Sequence, residues 1–291
     1  MASGINSTAN IDNVVRPMLA ESRVTIEHEP TMKQLVRIER IPKGQGGTYR
    51  LPKWGVLPDA QDLTEGMDIT QSQQLSDTLQ TFTPTEVGHQ VIITKRAMET
   101  LRDDIMRQAG RQMGDALQRR IDKDGLTMLD GFSTSLGSAG TALTWEYIAA
   151  AEVGIMGGGS AEPAPKSSPV YGVFHPYQLH PLAKDFAPAG TYPVPSGLSE
   201  DIQLKGFVSK SIAGVPLYRD GNLTIDANDD AKGGVFSKEA LLLVWEEPNE
   251  QKEESISLRG WRVVQTVWYV YGEYKDAWGR EMLFDSVAPT S

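Results

Sequence analysis

The stretch Phe82–Phe132, FTPTEVGHQVIITKRAMETLRDDIMRQAGRQMGDALQRRIDKDGLTMLDGF, carries a strand pattern that runs directly into a long helix pattern. Across Thr83–Thr94, Val87, Val91 and Ile93 fall on one face and Ile92 on the other, the alternation expected of a strand. Thr94 then stands where its hydroxyl would cap a helix beginning at Lys95. Ala97, Leu101, Ile105, Ala109, Met113, Leu117 and Ile121 recur at every fourth position. An α-helix turns once in about 3.6 residues, so this stripe winds slowly around the axis and the helix should meet different partners along its length. A coiled coil, which needs a period of about 3.5, is disfavoured. Continued to the neighbourhood of Leu129, the helix would span roughly 50 Å. Gly110 and Gly114 each weaken it by about 1 kcal/mol relative to alanine, which points to close packing at both, while Gly125 suggests a kink or an early end.

Upstream of this segment, residues 1–32 are polar, with Pro17 and Pro30 as breakers, and read as an extended arm. Leu35–Ile41, LVRIERI, has the look of a short strand ended by Pro42 and the glycines at 44, 46 and 47. From 48 to 82, scattered apolar residues (Leu51, Trp54, Val56, Leu57, Leu63, Met67, Ile69) stand among polar ones and cannot close a core of their own. A long segment of that kind within a compact chain is usually disordered or functional, and a projecting β-hairpin would let it stay polar on both faces.

Downstream, Thr144 is placed to cap a second helix, WEYIAAAEVGIM, closed by Gly157–Gly159. The run GGGSAEPAPKSSP is a loop by composition, Val170–Phe174 is a short buried-strand candidate, and a helix can start after His175 with Pro176 in its first position. A further loop covers 187–197, and Gly214–Tyr218 reads as a turn into a strand. The alternating runs LLLVWEEP, SISLRGW and VVQTVWYVYGEY predict antiparallel strands. No repeat of solenoid or propeller length is present. The fold class expected is α+β.

Composition sets outer bounds. A chain of 291 residues, 40% hydrophobic and 23% charged, is long enough for one or two packed domains. There is no apolar run of about 18 residues to span a bilayer, and the first residues lack the basic-then-apolar order of a signal peptide. With no cysteine, disulfides and thiolate metal sites are excluded. A net charge of −10 argues against a dedicated nucleic-acid binder. The long helix is nevertheless locally basic (Lys95, Arg96, Arg102, Arg107, Arg111, Arg119, Arg120, Lys123), and a solvated surface laced with ion pairs is favoured there over a DNA-facing one.

Signs of catalysis are few. His175 and His180 are five apart, not four, and each precedes a proline, so a turn or helix-cap role is favoured over metal binding. Neither a GxSxG elbow nor a GxxxxGK[ST] phosphate loop occurs. Asp226, Asn228 and Asp230 alternate as in a calcium loop, but Ala231 and Ser237 occupy the places where that loop needs glycine and glutamate, which leaves a polar hairpin loop. Glu246–Glu247 and Glu253–Glu254 read as solvated loop residues, not a glycosidase dyad. The six tryptophans read as core and interface anchors.

Several segments, in a common order from about Lys33 to Ala288, resemble the major capsid proteins of tailed bacteriophages, whose HK97-like fold is shell-forming. Trp54 followed by Leu63-Thr64-Glu65-Gly66-Met67-Asp68-Ile69 resembles their extended loop, and Val87–Thr94 with the long helix resembles the strand and spine helix of their peripheral domain. Val173-Phe174-His175-Pro176 with Gln178 and Leu182, then Ile212–Pro216, resemble their axial domain, and Val235–Leu241 resembles the return to the peripheral sheet. The resemblance implies an N-terminal arm (1–32), the start of the peripheral domain (33–47), an extended β-hairpin loop (48–82), the peripheral domain with its spine helix (83–140), an axial domain (141–234) and a return to the peripheral sheet (235–291). It implies a non-enzymatic shell subunit that assembles with itself as hexamers and pentamers in the host cytoplasm. The resulting icosahedral virion capsid would enclose double-stranded DNA without reading its sequence, with no membrane and no cofactor, and with room for separate scaffolding, portal and decoration proteins. Intersubunit contacts are expected at Trp54, Leu57, Glu65 and Met67 of the loop and at Arg102, Arg107 and Arg111 of the spine helix. Lys53 lies where the family's lysine–asparagine crosslinks form, but no asparagine partner matches, so crosslinking is not expected. An encapsulin-like nanocompartment shell shares this fold and is the alternative; a soluble hydrolase is the alternative of another class.

Overall fold

The computed structural model describes residues 5–6, 30–41, 47–57, 59–60, 62, 65, 72–100, 105–158, 163–165, 168–185, 211–257 and 259–289. Two sheets and a separate hairpin organise them. Strand β1 is Ile5–Asn6, helix α1 Met32–Leu35, β2 Arg37–Arg40, β3 Tyr49–Trp54, β4 Asp77–Phe82 and β5 Thr85–Thr94. Helices α2 (Lys95–Thr100) and α3 (Ile105–Thr127) follow, then a 3-10 turn at Met128–Gly131, β6 (Ser135–Gly137), α4 (Trp145–Met156), β7 (Val170–Phe174) and α5 (Pro176–Asp185). The remainder is β8 (Leu217–Arg219), β9 (Asp230–Ser237), β10 (Leu241–Trp245), β11 (Asn249–Ser255), β12 (Gly260–Glu273), a 3-10 turn at Asp276–Trp278 and β13 (Gly279–Asp285).

The first sheet runs β1-β5-β12-β10-β2, with β11 also on β12. Strand β12 is its axis: the antiparallel register with β5 extends from Gly260↔Thr94 to Tyr269↔Thr85, and its far end pairs with β10 from Tyr269↔Trp245 to Glu273↔Leu241. In β10, Leu241, Leu242, Leu243 and Val244 are all fully buried, because both faces of this strand are covered and a continuous apolar run suits such a position. The second sheet runs β6-β13-β9-β7-β8. The two-stranded β3–β4 hairpin stands apart from both.

The predicted strand-to-helix junction is present. Thr94 ends β5, and its Oγ1 accepts a hydrogen bond from the Ala97 amide at 3.2 Å, so one of the orphan amides at the helix start is satisfied. The helix is described in two pieces, with 101–104 outside the described residues. Along α3 the four-residue stripe does bury Met113, Leu117 and Ile121. Leu117 and Ile121 pack with Leu126, Leu129, Met32 and Leu35 against Leu241, Leu243, Val267 and Tyr271 of the first sheet. A second cluster joins Ile148, Ala151 and Ile155 of α4 and Leu179 and Leu182 of α5 to Val235, Met282 and Phe284. Burial of each such large side chain is worth about 1.5–3 kcal/mol, and these two clusters hold the helices on the sheets.

Glycine placement corrects the expectation drawn from the sequence. A Cβ at Gly114 would meet nothing within 4 Å, so no close approach explains that residue, and the side-chain environment of Gly110 lies outside the description. Close packing occurs at Gly125, where a Cβ would sit 2.8 Å from Tyr271 Cζ and 2.9 Å from Met32 Cβ. The helix neither kinks to an end nor stops there; it continues to Thr127 because Gly125 lets β12 and α1 press onto it.

Two strand readings change. SISLRGW is not a strand along its length: Ser255 ends β11, Gly260 begins β12, and Ile256, 92% exposed, sits in the turn between them. Its alternation comes from a hairpin connection. The polar run NEQKEES instead forms β11, so Glu253 and Glu254 lie on a strand and not in a loop. Glu254 pairs with Lys95. Edge strands tolerate such charge because one long side of them is left to solvent.

The α4 helix, with Thr144 in the N-cap position and Gly157 at its C-cap, matches the sequence reading, as do β7 and the start of α5 at Pro176, but the Thr144 hydroxyl makes no capping hydrogen bond. His175 acts as a cap: its Nδ1 accepts from the Tyr177 amide at 3.2 Å, and burial lowers its pKa. The Asp226–Asp230 segment is a hairpin turn in which Asp226 Oδ1 accepts from the amides of Asn228 (2.8 Å) and Asp230 (2.9 Å).

Candidate assembly surfaces

The β3–β4 hairpin pairs from Tyr49↔Phe82 to Trp54↔Asp77, and the Gly55 amide donates to the Ser76 carbonyl at 2.8 Å, one step further out. Its base is anchored. Phe82 is buried with Leu242 and Val244 of the first sheet, and Tyr49 and Leu51 pack on that cluster. Gln80 Nε2 donates to the Tyr274 carbonyl at 3.4 Å, and the Tyr274 hydroxyl donates to the Pro52 carbonyl at 3.4 Å.

Beyond that base the hairpin has little of its own to pack on. Trp54 is 58% exposed, Leu57 48%, and Val56, Leu75 and Leu79 about half. Single exposed apolar side chains are ordinary; here five stand on one two-stranded arm. Glu65 is exposed on the same arm, whereas Met67 lies outside the described residues.

The second predicted surface is the outer side of the spine helix. Arg102 lies outside the described residues, and of the Arg107 and Arg111 side chains nothing is described. The described cations Arg119, Arg120 and Lys123 are exposed on α3. Arg120 makes an i,i+4 contact with Asp124 at 3.1 Å, and Asp124 also accepts from the Tyr269 hydroxyl at 2.6 Å. Burial, with Asp124 beside it, raises the pKa of that hydroxyl. Over the described residues of α3 this face is exposed and carries the Arg120–Asp124 ion pair.

The tryptophans divide between packing and surface. Trp278 is buried, donates from Nε1 to the Pro163 carbonyl at 2.9 Å and carries the Lys275 ammonium over its ring at 3.5 Å. Trp245 receives Lys33 in the same way at 3.5 Å. Trp268 is 40% exposed and lines an open groove of about 510 Å³ with Glu86, Glu246, Glu247, Asn249, Gln251, Val264 and Thr266. That groove holds three carboxylates and no histidine. Among the described residues no three His, Cys, Asp or Glu side chains are grouped to hold a metal ion.

Sequence reasoning underrated Gln178. It is fully buried; its Oε1 accepts from the His175 amide at 3.1 Å, and its Nε2 donates to the carbonyls of Ala231 (2.6 Å) and Phe284 (3.2 Å). One amide therefore fastens α5 to both β9 and β13. The sequence clue was a lone glutamine on the first turn of a helix otherwise buried through Leu179 and Leu182.

No protein-family profile matches the sequence, and no curated protein matches it. Solved structures do match, end to end. The capsid of the cyanophage P-SCSP1u aligns over 97% of this chain and 96% of its own, at 16% identity and a TM-score of 0.67. The capsid of Ralstonia phage GP4 aligns over 94% and 95%, at 14% identity and a TM-score of 0.69. The SrpI encapsulin of Synechococcus elongatus aligns over 96% of each chain at 12% identity, with a lower TM-score of 0.59. The chain has the fold of bacteriophage capsid proteins, HK97-like in type.

Proposed function

We propose that this chain is the major capsid protein of a tailed bacteriophage, assembling with itself as hexamers and pentamers into an icosahedral shell around double-stranded DNA. The observation that carries the reading is the end-to-end correspondence with phage capsid chains, 97% of this chain aligning with the cyanophage P-SCSP1u capsid. The hairpin supports it, since Trp54 and Leu57 expose apolar surface that a neighbouring subunit would cover. Trp54, Leu57, Glu65 and Met67, and Arg102, Arg107 and Arg111 of the helix, are the proposed intersubunit contacts.

The proposed domain division is an arm (1–32), the start of the peripheral domain (33–47), the extended loop (48–82), the peripheral domain with its helix (83–140), the axial domain (141–234) and a return to the peripheral sheet (235–291), within which β13 pairs with β9 in the second sheet. Assembly takes place in the host cytoplasm, and scaffolding, portal and decoration proteins act as separate partners. An acidic chain of net charge −10 contains DNA without gripping it tightly, because tight binding needs clustered cations.

Negative-stain electron microscopy and light scattering of the purified protein test this. Closed shells, rings or tubes are expected. Nucleic acid inside native particles supports the virus shell, and a protein cargo would transfer the chain to the encapsulin reading. A persistent monomer or dimer, with scaffolding protein or a crowding agent added, would overturn both.

A further inference from the structure

Away from these surfaces, three segments meet at two buried aspartates. Asp122 of α3 is fully buried, and Asp220, in the loop after β8, is 5% exposed. Asp122 Oδ1 accepts from the Met32 amide at the start of α1 at 2.9 Å, and Oδ2 accepts from Asn222 Nδ2 at 3.2 Å. Asp220 accepts at one oxygen from the Asn222 amide at 2.8 Å, while its other oxygen, Oδ2, is buried with no donor. Asn222 bridges the two carboxyl groups, with its backbone amide on Asp220 and its side chain on Asp122.

Among the described residues no cation offsets this arrangement. Among the described residues, neither aspartate forms an ion pair. From β12 the buried Tyr271 hydroxyl faces Asp122, and burial raises its pKa, with the Asp122 charge adding to the effect. Asp124, next along α3, is turned to Tyr269 and Arg120. His175, at the head of α5, faces Asp220 and is held toward its neutral form by burial. Two bare carboxylates bridged by one asparagine in such surroundings repel each other and lack solvation. A single proton shared between them supplies the donor that Asp220 Oδ2 lacks.

We propose that Asp122 and Asp220 hold one proton between them, and that this proton clasps the spine helix to the 220–222 loop and to the start of α1. Removal of the proton in alkaline solution puts two negative charges at the junction and parts the loop from the helix. The titration follows the same direction. Burial first, then the neighbouring Asp220, pushes the Asp122 carboxyl up to about 7, against an unfolded value of about 3.9. A raised folded-state value means that this group's stabilisation is fully present below about pH 4 and is lost as pH rises through about 7. Across that window the folding equilibrium should fall by up to roughly a thousandfold, one proton being involved.

The test combines infrared spectroscopy with hydrogen exchange on the full chain. The wild type should show a carboxylic-acid carbonyl band at pH 6 that disappears as pH is raised to 8–9, and Asp122→Asn should lack it, whereas Asp124→Asn should keep it. Exchange protection at the Asp220 and Asn222 amides should drop as pH rises from about 4 to about 7 in the wild type, beyond the intrinsic pH effect, and stay level in Asp122→Asn. Three results would overturn the proposal: no such band in the wild type, a band that titrates while protection stays unchanged, or loss of the band at pH 6 on adding calcium or magnesium, which would put a cation where the proton is proposed. The wild-type spectrum decides the first point even if the variant does not fold.

Discussion

Replacing Trp54 with alanine separates assembly from folding. The side chain is 58% exposed and sits at the outer end of the β3–β4 pairing, opposite Asp77, so the isolated subunit should lose little; surface changes of this kind usually stay within about 0.5 kcal/mol. In a shell the exposed part would be covered. Aromatic side chains bury about 150–250 Å², and the 58% still available corresponds to roughly 90–145 Å². At about 25 cal/mol per Å², that is about 2–4 kcal/mol per subunit. Since about 1.4 kcal/mol is a tenfold change, the critical concentration for assembly should rise by roughly 30- to 700-fold. Light scattering across a concentration series measures this, with thermal unfolding of the unassembled subunit as the control. An unchanged critical concentration with an unchanged melting temperature would refute the role of the hairpin tip. A collapse of subunit stability would refute the claim that its surface is free.

The other expectations concern the subunit itself. Gly114→Ala should stabilise it by about 0.5–1 kcal/mol, because the new methyl meets open space and the helix gains propensity, whereas Gly125→Ala should cost about 1–3 kcal/mol by driving a Cβ into Tyr271 and Met32; chemical denaturation should show opposite signs for the two. Gln178→Ala removes three hydrogen bonds and should cost about 3 kcal/mol, with faster hydrogen exchange in β9 and β13 than in β10. Thr94→Ala should cost about 1 kcal/mol through the lost cap to Ala97, seen as a lower denaturation midpoint with an unchanged slope.

Local order was legible in the sequence because it is set by local physics. The alternation in Thr85–Thr94, the capping hydroxyl of Thr94, the buried stripe of Met113, Leu117 and Ile121, and Pro176 at a helix start all depend on neighbours within a turn or two of chain. The hairpin was legible by default, since its apolar residues are too sparse to enclose anything. SISLRGW misled because alternation does not distinguish a strand from the turn that joins two strands. Gly114 and Gly125 look alike in sequence, and only the approach of Tyr271, nearly 150 positions away, makes one of them necessary.

By itself the sequence determined a helix too long for one small core, an arm and hairpin with nothing of their own to bury, and a chain without the usual marks of catalysis. Tertiary structure decided which strands share a sheet, that Gln178 fastens α5 to two strands, and that Asp122 and Asp220 meet although 98 positions separate their numbers. The reason is range. Propensity, capping and periodicity act over a few residues, while burial, close approach and the sharing of a proton depend on which distant segments the fold brings within a few ångströms.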